Sequence, residues 1–435
     1  MRQRWMWIGG ALAVAVGLGA LLATLLGWQP ARAIAARFQP TAPPLHVGLL
    51  HSRTGPLAIS EQSLLDVEIM AIQEINDAGG VAGRRLTYSA PDCQSDPAVY
   101  AAKARQLLEQ EHAAVLVGGW SSDCRKAMLP VVAERKGLLF FPGNYEGIES
   151  APRVVYAGGA ANQSVLPAVR WAIDNLKARR FFVLGLEEVW SRTSGEIAKD
   201  AIRCAGGEVA GEHFSGESAV DAEATVEEIR RAKPDVVLNF LFGPANLRLY
   251  SALRGAGLTA AKLPVIAFGF SEDESRKFEP RDVEGHYAAW NYFQSVARPE
   301  NEAFIRRFRA RTSDSRVIGD AMIAAYNAIR FWAQAANEVD SAEVEAVLVN
   351  LDRQSMDAPD GIVTIDPESR AVWRPFHLGR HKADGQFQIV YSILKPIRPV
   401  TYVGTRSGDD WRAFSEGLRA RWQGRWSDPG SPGPR

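Results

Sequence analysis

No surplus of positive charge is present in this chain: 50 Lys and Arg balance 50 Asp and Glu across 435 residues. The basic surface that nucleic-acid backbones require is missing, so a nucleic-acid partner is not expected and a neutral or zwitterionic small ligand fits better. Cysteine is scarce, with three residues in all. None precedes Cys93, which excludes lipid attachment through a cysteine just after an export signal. The seven histidines (His46, His51, His112, His213, His286, His377, His381) lie scattered, and no Cys or His pair has zinc-type spacing. There is no phosphate-cradling G-x-x-x-x-G-K-[ST] and no G-x-G-x-x-G after the first strand-like run. Gly119-Trp120-Ser121-Ser122-Asp123 sits at a strand-to-helix turn but lacks the second glycine of a hydrolase's G-x-S-x-G. No catalytic residue, metal or cofactor is therefore indicated, and the chain is not expected to be an enzyme.

What is present begins with the amino end. No charged residue occurs from Trp5 through Ala31, Arg2 and Arg4 precede that stretch, and Ala31-Arg32-Ala33 offers a small-x-small cleavage site. The apolar run exceeds the roughly 7 to 15 residues of a signal core and matches the roughly 20 that span a bilayer. Residues 1–33 are thus expected to be a signal peptide or a single transmembrane anchor, with the two arginines inside and the remainder periplasmic or otherwise extracytoplasmic. A Pro-containing linker, 34–44, follows. Strand-like runs then alternate with amphipathic helical stretches, the grammar of an α/β fold with parallel sheets covered on both faces. Leu45 to Leu50, Arg85 to Ala90 and Ala113 to Val117 read as strands, with helices over Leu64 to Asn76 and Pro97 to Gln110. A second set runs as helix to Asn175, strand Arg180 to Gly185, helix Ser194 to Ala205, strand Gly207 to Phe214, helix Ala222 to Ala232 and strand Val236 to Phe240.

Two of the strands end abruptly in polar loops, Gly118-Gly119-Trp120-Ser121-Ser122-Asp123-Cys124-Arg125-Lys126 and Pro142-Gly143-Asn144-Tyr145-Glu146-Gly147. Ligands bind at such carboxyl edges of parallel sheets. Together with Val47 to Ser52 and Thr54-Gly55, Glu74-Ile75-Asn76 through Gly79-Gly80-Val81, Gly285 to Phe293, and Asp357-Ala358-Pro359 with Gly361, these loops carry a resemblance. From about His46 to about Tyr402 the chain resembles the urea- and short-chain-amide-binding branch of the type I periplasmic solute-binding proteins. The resemblance implies two doubly wound parallel-sheet lobes joined by a three-crossing hinge, with crossings near Gly159, Trp290 and Asn337. Lobe 1 would comprise 45–159 plus 291–337, and lobe 2 160–290 plus 338–400. The Arg- and Trp-containing tail, 401–435, reads as a loosely ordered terminus, with a membrane-surface or partner contact as the alternative.

The implied function is an extracytoplasmic receptor that closes its lobes on urea or a short-chain amide and delivers it to the membrane permease of an ABC importer. A membrane-anchored sensor of the same ligands, acting on a sensor partner, is the alternative. Such ligands carry NH2 donors and one carbonyl, so every polar group needs a partner, each unpaired one costing on the order of 1 to 3 kcal/mol. Ser122 falls on the family's ligand-contacting serine, with Ser121 beside it, and either can instead cap the helix opening there. Trp120 and Trp190 match positions whose rings enclose the ligand, and Gly143, Asn144 and Tyr145 follow the next strand. Phe242 and Ser271 follow second-lobe strands. Where relatives carry an enclosing tyrosine this chain has Glu188, and Ile323 stands where an acid is expected. A cationic or amino-acid ligand is therefore a further alternative, with Glu188 as its counter-ion. Relatives that bind branched amino acids also carry a disulfide in the neighbourhood of Cys93 and Cys124; isolated, partly buried thiols are the other reading.

Overall fold

The computed structural model describes residues 42–216, 220–313 and 315–428. The expected signal or anchor, most of the linker and the last seven residues lie outside them; among the described residues no helix is long and apolar enough to cross a membrane.

Apolar runs that alternate with helices settle into a buried parallel sheet because both faces must be covered. In lobe 1, β1 (Leu45–Leu50), α1 (Ala58–Asp77), β2 (Leu86–Ser89), α2 (Pro97–Glu109), β3 (Val115–Gly118), α3 (Ser122–Glu134), β4 (Leu139–Phe141) and β5 (Val154–Tyr156) follow in sequence. The strands pair in parallel in the order β2-β1-β3-β4-β5, so the loops after β3 and β4 emerge side by side.

Lobe 2 repeats the grammar with α4 (Ala161–Asn175), β6 (Arg180–Leu186), α5 (Val189–Cys204), β7 (Glu208–Ser215), α6 (Ala222–Ala232), β8 (Val236–Phe240), α7 (Pro244–Gly255) and β9 (Val265–Ala267). Two one-turn helices, α8 (Glu272–Ser275) and α9 (Pro280–Val283), lead to β10 (Tyr287–Trp290). Then come α10 (Pro299–Arg311), α11 (Asp320–Glu338), α12 (Val344–Leu351), β11 (Ser355–Ala358), β12 (Gly361–Ile365), β13 (Val372–His381) and β14 (Phe387–Ile397). The second sheet runs β11-β12-β13-β10-β9-β8-β6-β7, with β14 on β13; β13 is antiparallel to β10. α11 packs on α1, and α12 lies on α11, so the stretch 338–400, expected wholly in lobe 2, divides between the lobes.

Asn291 ties the crossings together. Its Nδ2 donates to the carbonyls of Gln163 (3.3 Å) and Pro375 (2.6 Å). Its Oδ1 lies 2.1 Å from where a Cβ on Gly159 would fall, so glycine is required there. The third crossing is at 371–375, where Ala371 bridges to Tyr156, and not near Asn337. Asn337 instead holds lobe 1 together, accepting from the Ala82 amide at 2.8 Å.

The tail differs most from expectation. Ser407 accepts from the Asp410 amide at 3.1 Å and caps a helix, α13 (Gly408–Arg421), whose Trp411 and Leu418 are buried. Apolar residues at helical spacing found a face to cover: Leu418 and Trp422 pack on Val189 of α5.

Candidate functional site

The carboxyl ends of the parallel strands from both lobes face one another across the hinge. Between them lies a small, narrow cavity lined by Trp120, Ser121, Asn144, Trp190, Phe242, Phe268, Gly269 and Trp290. Lobe 1 supplies Trp120 and Ser121 after β3 and Asn144 after β4. Lobe 2 supplies rings: Trp190 packs against Phe240 and Phe242 (centroids 5.9 and 6.0 Å), and Phe268 stacks on Phe240 at 4.6 Å. Trp290, from the end of β10, donates its indole N–H to the Phe270 carbonyl at 2.7 Å and adds a further ring to the lining.

Polar capacity on the wall is small and specific. Asn144 accepts from the Gly159 amide through Oδ1 at 3.0 Å, while its Nδ2 is buried with no partner. An orphaned buried donor costs about 1 to 3 kcal/mol, which a ligand acceptor would recover. Ser121 donates its hydroxyl to Asp123 and keeps lone pairs for an incoming N–H. Because Ser121 is the N-cap of α3, the amides of its first turn lie beside it. No lining side chain is charged.

The charges sit behind the wall and cancel. Arg125 donates to Glu146 (2.9 Å) and Glu149 (3.0 Å), and Lys126 donates to Glu149 at 2.6 Å. Burial alone would lift Glu149, but Arg125, Lys126 and the Tyr156 hydroxyl hold it at about 2. Ser122 belongs to this network: its Oγ donates to Glu146 (2.6 Å) and accepts from Arg125 (2.8 Å). It therefore does not line the cavity.

Of the other expected residues, Tyr145 is buried and stacked on Tyr156 at 4.3 Å, its ring turned into lobe 1. Gly143 lies behind the wall, where a Cβ would meet the Trp120 carbonyl at 2.4 Å, and so lets the two loops close together. Ser271 is taken by Glu274 at 2.9 Å. Glu188 is the N-cap of α5, accepting from the amides of Trp190 (2.8 Å) and Ser191 (2.5 Å), which is why that helix starts at Val189 and not at Ser194. Burial, and next the charge of Asp123 across the cleft, push its carboxyl up to about 8. Each oxygen accepts one amide of the helix start, and the carboxyl is not part of the cavity lining. Phe268, Gly269 and Trp290 are cavity residues that the reading of the chain missed; Phe268-Gly269 ends an apolar run much as Gly119-Trp120 does, a signal that was available.

The possible Cys93–Cys124 bridge is not formed and the reading as isolated thiols describes the structure: Cys93 and Cys124 are free and buried, and Cys204 is free and exposed. Burial raises the first two far above the usual thiol range, so neither is poised for exchange. Among the described residues no group of His, Cys, Asp and Glu could hold a metal ion.

Residues 45–408 match the periplasmic binding protein domain, and the chain belongs to that family, whose members are solute-binding proteins. Its two-lobed fold is that of the type I members. The solute-binding protein of an ABC transporter from Rhodopseudomonas palustris BisB5, solved in complex with 3,4-dihydroxybenzoic acid, superposes with a TM-score of 0.75 at 18% identity, over 82% of this chain and 98% of that one. The leucine-, isoleucine-, valine-, threonine- and alanine-binding protein of Pseudomonas aeruginosa is 24% identical over 342 residues, 76% of this chain and 88% of its own length. A Geobacillus stearothermophilus protein named limonene hydroxylase is 32% identical over 113 residues, 26% of this chain. The chain spans about a fifth of that relative's length, 21%.

Proposed function

We propose that the protein is an extracytoplasmic receptor for a small, planar, uncharged ligand of the urea or short-chain amide class, which it passes to the permease of an ABC importer. The observation that carries this reading is the wall itself: flat rings, one orphaned amide donor at Asn144, one hydroxyl acceptor at Ser121, and no charged side chain. A planar amide stacks on the indoles of Trp120 and Trp190 while its carbonyl takes the Asn144 N–H and its NH2 donates to Ser121. With Glu188 capping its helix and not part of the lining, an ammonium or guanidinium finds no counter-charge in the wall.

A second reading is a small aromatic acid. The ring-lined wall favours it, and the Rhodopseudomonas protein was solved with a dihydroxybenzoate. Its carboxylate would meet Asn144 and the α3 amides, yet also the Asp123 carboxylate beside Ser121. A membrane-anchored sensor remains the alternative to the importer, differing only in what the closed lobes contact.

Calorimetric and thermal-shift titration against urea, formamide, acetamide, benzoate, 4-hydroxybenzoate, guanidine and leucine tests the ligand. At 100 times its dissociation constant a true ligand adds roughly 2.7 kcal/mol of stability. A response to urea or an amide is expected; a response to benzoates alone replaces the first reading with the second, and a response to guanidine or leucine alone overturns both.

A further inference from the structure

The family match ends at residue 408, so nearly all of α13 and the chain after it are additions to the matched domain. They are built onto the binding cleft. Arg406 is clamped by Asp200 (2.7 Å) and Glu196 on α5, with its guanidinium over the Trp411 ring at 4.8 Å. Leu418, Trp422, Phe414 and Trp426 close over Val189. Beyond the helix the chain straightens and pairs with the loop that carries the cavity wall. The Val189 amide donates to the Trp426 carbonyl (2.9 Å), the Asp428 amide donates to the Glu187 carbonyl (2.8 Å), and Ser427 bridges antiparallel to Glu188. Trp190 is the next residue along and lines the cavity. The side chain of Trp426 then crosses to the other lobe, where Lys126 of α3 places its Nζ 4.4 Å from the ring centroid. Lys126 is itself fixed by Glu149 at 2.6 Å, so the cation is presented from a rigid mount.

We propose that residues 404–428 are a strap that completes the ligand site, positioning the Glu188–Trp190 rim of lobe 2 and gripping lobe 1 through Trp426 on Lys126. Two kinds of interaction divide the work. The helix and its backbone pairs belong wholly to lobe 2 and persist when the cleft opens. The Trp426–Lys126 contact joins different lobes, so it exists only in the closed form and biases the molecule toward it. A partly buried cation–π contact of this kind shifts such an equilibrium by about two- to tenfold.

The test reads lobe separation in the ligand-free full chain, so an incorrect ligand class leaves it standing. Paired labels go on native Cys204, exposed on α5, and on Gln73→Cys, exposed on α1; the two buried thiols stay unreactive. Double electron–electron resonance distances are compared for the parent, Trp426→Ala, Trp426→Leu, Trp426→Phe, Lys126→Met and the Trp426→Leu/Lys126→Met pair. We expect Trp426→Leu, which keeps the apolar plug over Val189 and hence the fold, to raise the open-to-closed ratio about two- to tenfold. Trp426→Phe retains a π face and should stay near the parent, and the double variant should open no further than either single one. Coincident distance distributions for the parent and Trp426→Leu overturn the strap, as does strict additivity in the double variant, which would mean that the two residues do not act on each other.

Discussion

Asn144 and Glu188 divide the residue-scale chemistry, one carrying an unmet hydrogen bond and the other an unwelcome charge. Asn144→Ala removes the orphaned donor and should weaken an amide ligand by about tenfold or more, the worth of one buried hydrogen bond, and because it also deletes the acceptor of the Gly159 amide its affinity is compared at a temperature well below the melt; equal affinity by calorimetry would remove Asn144 from the site. Glu188 makes stability depend on pH. Its carboxyl is raised from 4.5 to about 8 by burial and then by Asp123, so the folded state holds the proton through a window in which the unfolded state has lost it. Stability therefore falls as pH climbs from about 4.5 toward 8. Burial also lifts Glu272 to about 8 and Glu274 to about 7, with the same sign. His286, His377 and His381, lowered by burial to about 4, act oppositely but only below about 6.5. Melting temperature should thus decline between pH 6.5 and 8.5, and Glu188→Gln should flatten part of that decline; an unchanged slope would show that Glu188 is not the group responsible. The sequence placed Trp120, Ser121, Asn144 and Phe242 in the loops after strands, and there they are, while Trp190, singled out by the family resemblance, stands in the first turn of α5. It could not tell Ser121 from Ser122, because one step at a helix start turns a side chain by about 100°. It could not tell a ligand-facing Glu188 from a capping one either, since both stand before a helix.

α3 shows at the scale of an element how a neutral wall is kept neutral. Its Arg125 is fully buried and answers Glu146 and Glu149 while cradling the Ser122 hydroxyl. Removing one partner of such a set strands the others, so Arg125→Met should cost roughly 3 to 5 kcal/mol in denaturant unfolding; a loss under about 1 kcal/mol would mean that water enters and rescues the glutamates. The same chemistry hid β13 from the sequence. Trp373-Arg374-Pro375 does not read as a central strand, yet Arg374 is buried there because Asp320 and Asp360 meet it at 2.9 and 3.0 Å. By contrast β1, β3 and β8 were legible because they are predominantly apolar runs, broken only by His46 in β1 and Asn239 in β8. α13 carried a readable start as well, Ser407 followed three residues later by Asp410, a carboxylate variant of the capping pattern. Its partner surface on α5 lies some 200 residues upstream in sequence, beyond the reach of local pattern.

In the whole molecule the hinge is where three strands of chain are held within touching distance by one side chain. Gly159→Ala would set a methyl 2.1 Å from the Asn291 oxygen, forcing that amide off the carbonyls of Gln163 and Pro375. We expect a lower melting temperature and slower ligand-induced closure by stopped-flow fluorescence; parent-like kinetics would mean that the crossing bends elsewhere. The crossings also decide in what order the chain can become a protein. Lobe 1 is unfinished until α11 reaches α1, and lobe 2 until β13 slots beside β10. No prefix of the polypeptide short of residue 338 can complete lobe 1, and none short of residue 381 can complete lobe 2. A ribosome releasing it from the amino end produces two half-domains with bare apolar helices, each waiting on residues yet to be made, so folding is deferred until nearly all of the chain is available.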